Sequence, residues 1–262
     1  MKRIARIYRQ LFKANWSKTL VYRMDFLNSV ISGFLWGGFS IITITLLTSN
    51  VSQVAGWKSG EIQMLNAAYW VLAGVFHLFF TKNFSAAARM LHYGEIDSLA
   101  LKPINTLFLL TTSEISYAST IRMSAGIIFL FWLADRQGIT LSPDRWALFF
   151  LTGIAGIAIL YAVHVFLISL LLWRSYLSNL VELGSLYMST ARNPVDLLRY
   201  VPTALSPIFF VALITVSIPT QFLLGKGTLL RGVFLIATAG VLLFISTRLW
   251  NYSLKKYTGA SG

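Results

Sequence analysis

The sequence predicts an all-α integral membrane protein with six transmembrane helices. Of its 262 residues, 56% are hydrophobic and only 12% are charged, whereas a soluble domain carries about 25% charged residues. The apolar residues come in blocks of about twenty, the length that a helix needs to cross a hydrocarbon core of about 30 Å. The blocks are unbroken, while the strands of a membrane barrel would alternate apolar and polar residues. We therefore expect one transmembrane domain over residues 1–262.

The basic residues cluster beside the predicted spans. The formal net charge is +13, and cations crowd residues 2–23 and recur at Lys255 and Lys256. Cytoplasmic ends of membrane spans carry such an excess of Lys and Arg, and anionic lipid headgroups attract it. We therefore expect both termini in the cytoplasm, membrane lipid as a partner, and no nucleic acid as a partner.

Residues 1–25 precede the first span and predict an amphipathic helix on the cytoplasmic membrane surface. Apolar side chains recur at helical spacing from Ile4 to Trp16, and basic residues occupy the remaining positions. Apolar residues on one side and cations on the other are typical of an interfacial helix. The alternative is a disordered basic tail.

Residues 26–80 predict spans one and two, at about Phe26–Thr48 and Glu61–Phe80, joined by a short outer loop. Span two contains His77 near its inner end, and a later span contains His164. Because a lone histidine inside a span is more often structural than a ligand, we expect no metal site. The sequence also lacks cysteine, which excludes thiolate metal sites and cysteine nucleophiles.

Residues 81–105, here called the polar segment, form the longest polar interruption between two apolar runs. Residues Phe84–His92 predict a helix that ends at Gly94 as its C-cap. The acids in Glu95–Asp97 suit the start of a second short helical turn, and Pro103 stops that turn before the next span. This pattern indicates a docking element for a soluble partner. The alternative is a surface loop that only links two spans.

Residues 106–191 predict spans three to five. Span three, at about Thr106–Leu133, contains Glu114 and Arg122. These two residues share a helix face but stand about 12 Å apart along the axis. Each therefore needs a partner on another helix, or water. Span four, at about Trp146–Trp173, is long and apolar.

Residues 175–225 allow two arrangements. In one, Ser175–Ala191 is the fifth span and Asn193–Gly225 is an outer re-entrant hairpin that prolines break into pieces. In the other, Arg174–Arg199 stays cytoplasmic and the fifth span is about Thr203–Leu223. The arginines favour the second arrangement, and the repeated prolines favour the first. In either case residues 229–262 provide the last span and a cytoplasmic tail.

Several short motifs occur in an order and spacing that resemble the permease subunit of a bacterial type-2 ABC exporter, in a subfamily whose permeases are often encoded as adjacent pairs. The motifs run over nearly the whole chain. They are Tyr22-Arg23 with Asp25-Phe26, Gly94-Glu95-Ile96-Asp97, Leu101-Lys102-Pro103, Ala191-Arg192-Asn193-Pro194, Ser206-Pro207, Ile218-Pro219, Leu223-Leu224-Gly225, and Trp250 with Tyr257 through Gly262. The family usually has Tyr-Pro where this chain has Asn193-Pro194.

The resemblance implies a coupling helix within residues 84–100 and an outer re-entrant segment over residues 192–228, which selects the first arrangement. It also implies a second permease, identical or related, over two copies of an ABC ATPase subunit in the bacterial cytoplasmic (inner) membrane. The chain has no GxxxxGK[ST] loop to cradle nucleotide phosphates. We therefore expect no cofactor and no enzyme activity in this chain itself, with ATP and Mg²⁺ bound by the partner.

The predicted function is the membrane-spanning subunit of an ATP-driven exporter for an amphipathic or apolar substrate. The residues expected to couple the chain to the ATPase are Phe84, Arg89, Gly94, Glu95, Asp97 and Pro103. Glu114, Arg122 and Glu182 are expected in the translocation path or the permease interface, or as buried charges that hold the bundle together. The alternative function is a proton-coupled secondary transporter that uses Glu114 and Glu182. The absence of a visible inverted repeat stands against it.

Overall fold

The computed structural model describes residues 2–49, 53–172 and 180–257. Nearly all of them lie in helices. The elements are α1 Lys2–Val21, α2 Arg23–Ser49, β1 Gln53–Val54, β2 Trp57–Lys58, α3 Ser59–Phe76, a π-helical turn His77–Thr81, α4 Lys82–His92, α5 Ile96–Ala100, α6 Thr106–Thr112, α7 Ser119–Arg136, α8 Pro143–Leu171, α9 Leu180–Thr190, a 3₁₀ helix Val195–Tyr200, α10 Ser206–Leu223 and α11 Leu229–Lys256. The two short strands pair antiparallel, Gln53 with Lys58 and Val54 with Trp57.

Within the described ranges, five helical stretches are long and apolar enough to cross a membrane. They are Arg23–Leu46, Ser59–Leu91, Pro143–Leu171, Ser206–Leu223 and Leu229–Lys256. The chain is therefore an all-α, multi-pass membrane protein, as its composition predicts. Six spans stay a prediction, because the third and fifth predicted spans correspond to helices outside this set.

The predicted span three, Thr106–Leu133, is not one helix. It consists of α6 and α7, separated by the non-helical residues Ser113–Ala118, here called the helix break. The hydroxyls of Thr111, Thr112 and Ser113 all donate to backbone carbonyls four residues earlier. Such side-chain bonds compete with the helical ladder. The expectation of a continuous helix is wrong here.

The two ends of the bundle differ in their contacts, and we name them after α3 and α4. At the α3 end, where α3, α8 and α11 begin, Lys226 pairs with Glu61 at 2.6 Å. At the α4 end, α4 and α5 pack with the last turns of α8 and α11 in one apolar cluster.

Residues 193–226 leave and return to the α3 end. The indole of Trp57 donates to the Asp196 carboxylate at 2.8 Å, and Lys226 closes the segment on Glu61. The Ser217 hydroxyl accepts from the Val195 amide at 3.0 Å and lies 3.2 Å from the Asn193 carbonyl oxygen. Residues 212–223 of α10 are all buried. Two limbs that meet in this way have the geometry of a hairpin, and the side of the membrane on which it opens stays a prediction.

Helix α8 lies at the centre of the bundle and contacts α3, α4, α9, α10 and α11. At Gly156 the α10 backbone approaches so closely that a methyl group would overlap the carbonyl oxygen of Thr215. Small residues permit such close approach between membrane helices. In contrast, α2 is peripheral, since only 6% of its most apolar stretch is buried. Residues 173–179, which hold the start of the predicted fifth span, and residues 258–262 of the tail lie outside the described residues.

Candidate functional site: the polar segment and the helix break

Helices α3 and α4 form one long rod through the π-helical turn. The rod runs from Ser59 to His92 without interruption, which corresponds to about 50 Å at the usual rise per residue. This exceeds the thickness of a hydrocarbon core of about 30 Å. The first part of the polar segment, residues 81–92, is therefore the extension of a candidate span rather than a separate loop.

The π-helical turn binds the helix break. A π turn shifts the backbone hydrogen-bond pattern locally, and the Leu78 carbonyl accepts a bond from the Ser116 amide at 2.9 Å. This bond pairs a backbone amide that the break would otherwise leave without a helical partner.

Asn83, the second residue of α4, holds the break from the other side. Its side-chain amide donates to the carbonyl of Glu114 at 2.7 Å, and its oxygen accepts from the Glu114 amide at 2.8 Å. The same amide group donates to the Phe79 carbonyl at 2.7 Å. Asn83 is only 1% exposed. Because this buried side chain makes all three hydrogen bonds, it fixes the position of the break relative to α4.

Helix α1 docks on the same break. The Asn15 amide donates to the Ser113 carbonyl at 2.8 Å, and the Tyr117 hydroxyl donates to the Phe12 carbonyl at 2.9 Å. Lys18 pairs with the Glu114 carboxylate at 3.3 Å. The ring of Tyr117 meets Phe12 and Trp16 edge to face, with centroids 5.4 and 5.1 Å apart. Glu114 thus has its partner on another helix, as its position in a span predicted.

Phe84 lies inside the bundle and not on its surface. It is 1% exposed, and its ring centroid lies 4.9 Å from that of His164 and 5.7 Å from that of Tyr161, both on α8. Phe76 stacks on it from α3 at 6.2 Å. Phe84 therefore anchors α4 to α8, whereas its role as a direct contact to an ATPase would need an exposed side chain.

The turn after α4 has the geometry of a glycine C-cap. Gly94 has φ +71°, a conformation that side chains with a Cβ disfavour. The Glu95 amide donates to the Met90 carbonyl at 2.8 Å, a bond that closes the end of α4. The predicted helix, cap and second helical turn are confirmed here as local structure.

The second turn, α5, has one buried and one exposed face. Ile96 and Leu99 are buried against the bundle, while Glu95 and Asp97 are exposed. Burial first, and the Asp97 charge second, raise the pKa of the Tyr257 phenol at the end of α11. Arg89 and Pro103 are also exposed. The polar segment therefore exposes the charged side chains of Arg89, Glu95 and Asp97, here called the charged rim, at the α4 end. Buried apolar side chains of the same segment hold it to the bundle.

The structure does not bring Glu114, Arg122 and Glu182 together. Glu114 belongs to the helix break, Arg122 lies on the first turn of α7 beside a small cavity, and Glu182 is exposed on α9. No ion pair joins any two of them within the described ranges. No group of histidine and acidic side chains that could hold a metal ion occurs in the same residues.

The sequence analysis missed Asn83 and Tyr161. The Tyr161 hydroxyl lies 3.1 Å from the Thr111 hydroxyl and so links α8 to α6. The signal for Asn83 was a lone amide between Phe80 and Phe84 near the end of an apolar run. A buried amide needs partners, but the partner is 31 residues away, and a single sequence does not show which one it is.

The sequence pattern that defines the family described as ABC-2 family transporter protein matches residues 34–261. No curated protein and no solved structure gives a significant match. The family match begins inside α2 and covers all later elements, including the polar segment, the helix break and residues 193–226. The chain therefore belongs to the ABC-2 transporter family and is a membrane permease subunit of that type.

Proposed function

We propose that the chain is the membrane-spanning subunit of an ATP-driven ABC exporter, coupled to a separate ATPase through residues 84–100. The family in general implies an ABC ATPase partner and a dimeric arrangement. In the proposed complex, two ATPase copies bind ATP and Mg²⁺, and a second permease, identical or related, completes a path for an amphipathic or apolar substrate. The chain has no enzyme activity of its own.

The observation that supports this proposal is that the polar segment exposes its charged rim while its apolar side chains are buried in the bundle. Arg89, Glu95 and Asp97 are exposed, while Phe84 and Ile96 are buried in the apolar cluster at the α4 end. The rim is the part that meets the ATPase, and Gly94 and Pro103 shape it. Since packed helices move as bodies, a displacement of the rim moves α4 together with α8.

Helix α4 is also bonded to the helix break. Asn83 joins α4 to the backbone of Glu114 on both sides of that residue. A shift of α4 therefore pulls directly on the point where α6 ends and α7 begins. This gives the ATPase a mechanical route into the membrane-spanning part, where Arg122 and Glu182 serve in the path or the permease interface.

The charge distribution supports a cytoplasmic α4 end. Lys82, Arg89 and Lys102 lie on the polar segment, and Lys255 and Lys256 end α11. At the α3 end, Lys226 is paired with the Glu61 carboxylate. By the positive-inside rule, this supports both termini in the cytoplasm. The proposal keeps six spans in the bacterial inner membrane, with residues 192–228 as the outer re-entrant segment.

No observation favours the proton-coupled alternative. Its two proposed carriers differ in setting, since Glu114 is engaged by Lys18 and Glu182 is exposed. A proton carrier in a membrane protein needs an acid that faces the bundle interior or a water-filled path.

The test is co-expression of the chain with its neighbouring genes, followed by purification in detergent. Glu95→Ala with Asp97→Ala is compared with Asp135→Ala with Asp144→Ala, which removes exposed acids from the α3 end. We expect the first pair to lower ATPase recovery or substrate-stimulated ATP hydrolysis about tenfold, since a few residues dominate an interface. We expect the second pair to match wild type.

Two results would contradict the proposal. One is a chain that never retains an ATPase and moves solute on a proton gradient alone. The other is equal loss of the ATPase in both double variants, which would show that residues 84–100 are not the contact.

A further inference from the structure

A small polar cavity lies between α2, the π-helical turn and α7. Its volume is about 150 Å³, and its walls include Ser29 from α2, His77 from the π-helical turn, and Ser116, Ser119 and Arg122. Ser29 and His77 both belong to candidate membrane spans. Polar groups in such spans are costly unless they meet a partner or water, so the cavity needs an occupant.

Arg122 supplies the charge of this cavity. No hydrogen bond or ion pair joins its guanidinium to another residue in the described ranges 2–49, 53–172 and 180–257. The acid nearest in sequence, Glu114, is engaged by Lys18 at 3.3 Å. A guanidinium in hydrocarbon needs a counter-ion. No acid in the described part of the chain pairs with Arg122, so an anion from another molecule can take that place.

We propose that this cavity binds the anionic headgroup of an amphiphile, a carboxylate, phosphate or sulfate, through Arg122. The planar guanidinium matches the oxygens of such groups in a two-bond fork. The hydroxyls of Ser116 and Ser119, 3.4 Å apart, are further donors at the cavity wall. A cavity of about 150 Å³ has room for several water molecules or for a headgroup, but not for an acyl chain.

The apolar chain of the amphiphile lies along α2. The cavity wall on that side consists of Val30, Gly33 and Phe34, and Phe34 is 57% exposed. A Cβ atom built on Gly33 would meet no atom within 4 Å. The cavity is therefore open on the side where α2 faces the bilayer, and a lipid-like molecule can enter it sideways.

The inference rests on the proposed function only for the identity of the amphiphile, which is the exported substrate or a resident anionic lipid. Both present the same chemistry to Arg122. The headgroup site itself depends on neither ATP nor the ATPase.

The experiment measures binding of dodecyl phosphate to the full chain in neutral detergent by native mass spectrometry. Dodecylphosphocholine and dodecyltrimethylammonium are the zwitterionic and cationic probes of equal chain length. We expect wild type to prefer dodecyl phosphate about tenfold, and Arg122→Gln to lose that preference about tenfold, since one charged hydrogen-bonded pair is removed. Arg122→Lys should fall between them because it keeps the charge and loses the fork.

The matched control is Arg136→Gln on the same helix, whose guanidinium lies 4.6 Å from the Trp132 ring centroid at the other end of α7. It should bind as wild type does. Equal dodecyl phosphate binding by wild type and Arg122→Gln would overturn the proposal, as would a wild type that does not distinguish the three probes.

Gly33→Leu keeps the test valid if Arg122→Gln does not fold. A Cβ at position 33 would meet no atom within 4 Å, and this position lines the cavity. We therefore expect folding to persist while the leucine occupies the open side and dodecyl phosphate binding drops about tenfold, because the headgroup bonds are blocked. Unchanged binding in Gly33→Leu would overturn the proposal.

Two further readouts identify the occupant. Stimulation of the complex's ATPase by dodecyl phosphate, lost in Arg122→Gln, identifies a substrate. Loss of co-purified phosphatidylglycerol without such stimulation identifies a lipid, and each result supports the site. Failure to recover any ATPase would contradict the proposed function and leave the binding result standing.

Discussion

The long rod of α3 and α4 and the peripheral helix α2 are both apolar enough to cross a membrane, yet they are held very differently. In their most apolar stretches, 61% of the rod is buried and only 6% of α2. The rod packs against α7 and α8 and carries the polar segment, while α2 makes few contacts and joins α1. Equal hydropathy therefore does not imply equal roles. The rod belongs to the body of the subunit, whereas most of α2 is exposed on its periphery.

The largest expected difference comes from truncating one phenylalanine in each helix. Phe84→Ala in the rod should lower the free energy of unfolding by about 3 kcal/mol, because the packed core cannot close the cavity. Phe39→Ala in α2, whose side chain is 63% exposed, should change it by less than about 0.5 kcal/mol. Denaturation of the two variants in mixed micelles with increasing SDS measures both values. A large loss in Phe39→Ala would show that α2 packs against a second subunit.

The second comparison uses two asparagines that bind the helix break, Asn83 from the rod and Asn15 from α1, the helix that precedes α2. Asn83→Ala strips the Glu114 amide and carbonyl of their buried partner and should cost about 2 kcal/mol. Asn15→Ala on α1 removes a bond to the Ser113 carbonyl at a half-buried site and should cost less than about 1 kcal/mol. Thermal unfolding in detergent ranks them. The reverse order would mean that α1, and not α4, fixes the break.

The third comparison uses a glycine from each region. Gly94→Ala places a Cβ at φ +71° and should destabilise the protein by about 1 kcal/mol. Gly38→Ala on α2 meets no atom within 4 Å, so it should be neutral or stabilise the helix by up to about 1 kcal/mol. The readout is the midpoint of thermal unfolding. Destabilisation by Gly38→Ala would place a partner helix against that position.

The smallest effect concerns the ion pair of Lys18 with Glu114. Its side chains are 59% and 36% exposed, so Lys18→Met should lower stability by about 0.5 kcal/mol or less. The effect should fade as ionic strength rises, because salt screens exposed charges. Unfolding measured at low and high salt checks this, with Lys102→Met, on an exposed residue of the polar segment, as the control. A loss that does not depend on salt would contradict the assignment to this pair.

Much of the local structure could be predicted from the sequence, since it depends on neighbouring residues. The apolar runs predicted the candidate spans, and Gly94 predicted the end of α4 to within two residues. The helix break was missed because its partners, Leu78 and Asn83, lie more than thirty residues earlier. The burial of Phe84 was missed for the same reason, since it depends on packing against α8.

The candidate site was predicted less completely than the fold. The charged rim at Arg89, Glu95 and Asp97 follows from polarity, and its exposure agrees with it. Glu114 was correctly expected to need a partner on another helix, but Lys18 could not be chosen from several nearby cations. A charged residue in an apolar run shows that it needs a partner, but only the packing of the helices determines which residue that partner is.

The π-helical turn sets the angular phase between the two halves of the rod. A π turn has one residue more than the α-helical path it replaces, and each residue of an α-helix advances the side chains by about 100°. If the same residues His77–Thr81 took ordinary α-helical hydrogen bonds, α4 would therefore be rotated by about a quarter turn relative to α3. Phe84 would point away from α8, Asn83 away from the break, and the charged rim would face a new direction. The π geometry of this turn, rather than the composition of α4, decides the direction that the rim faces.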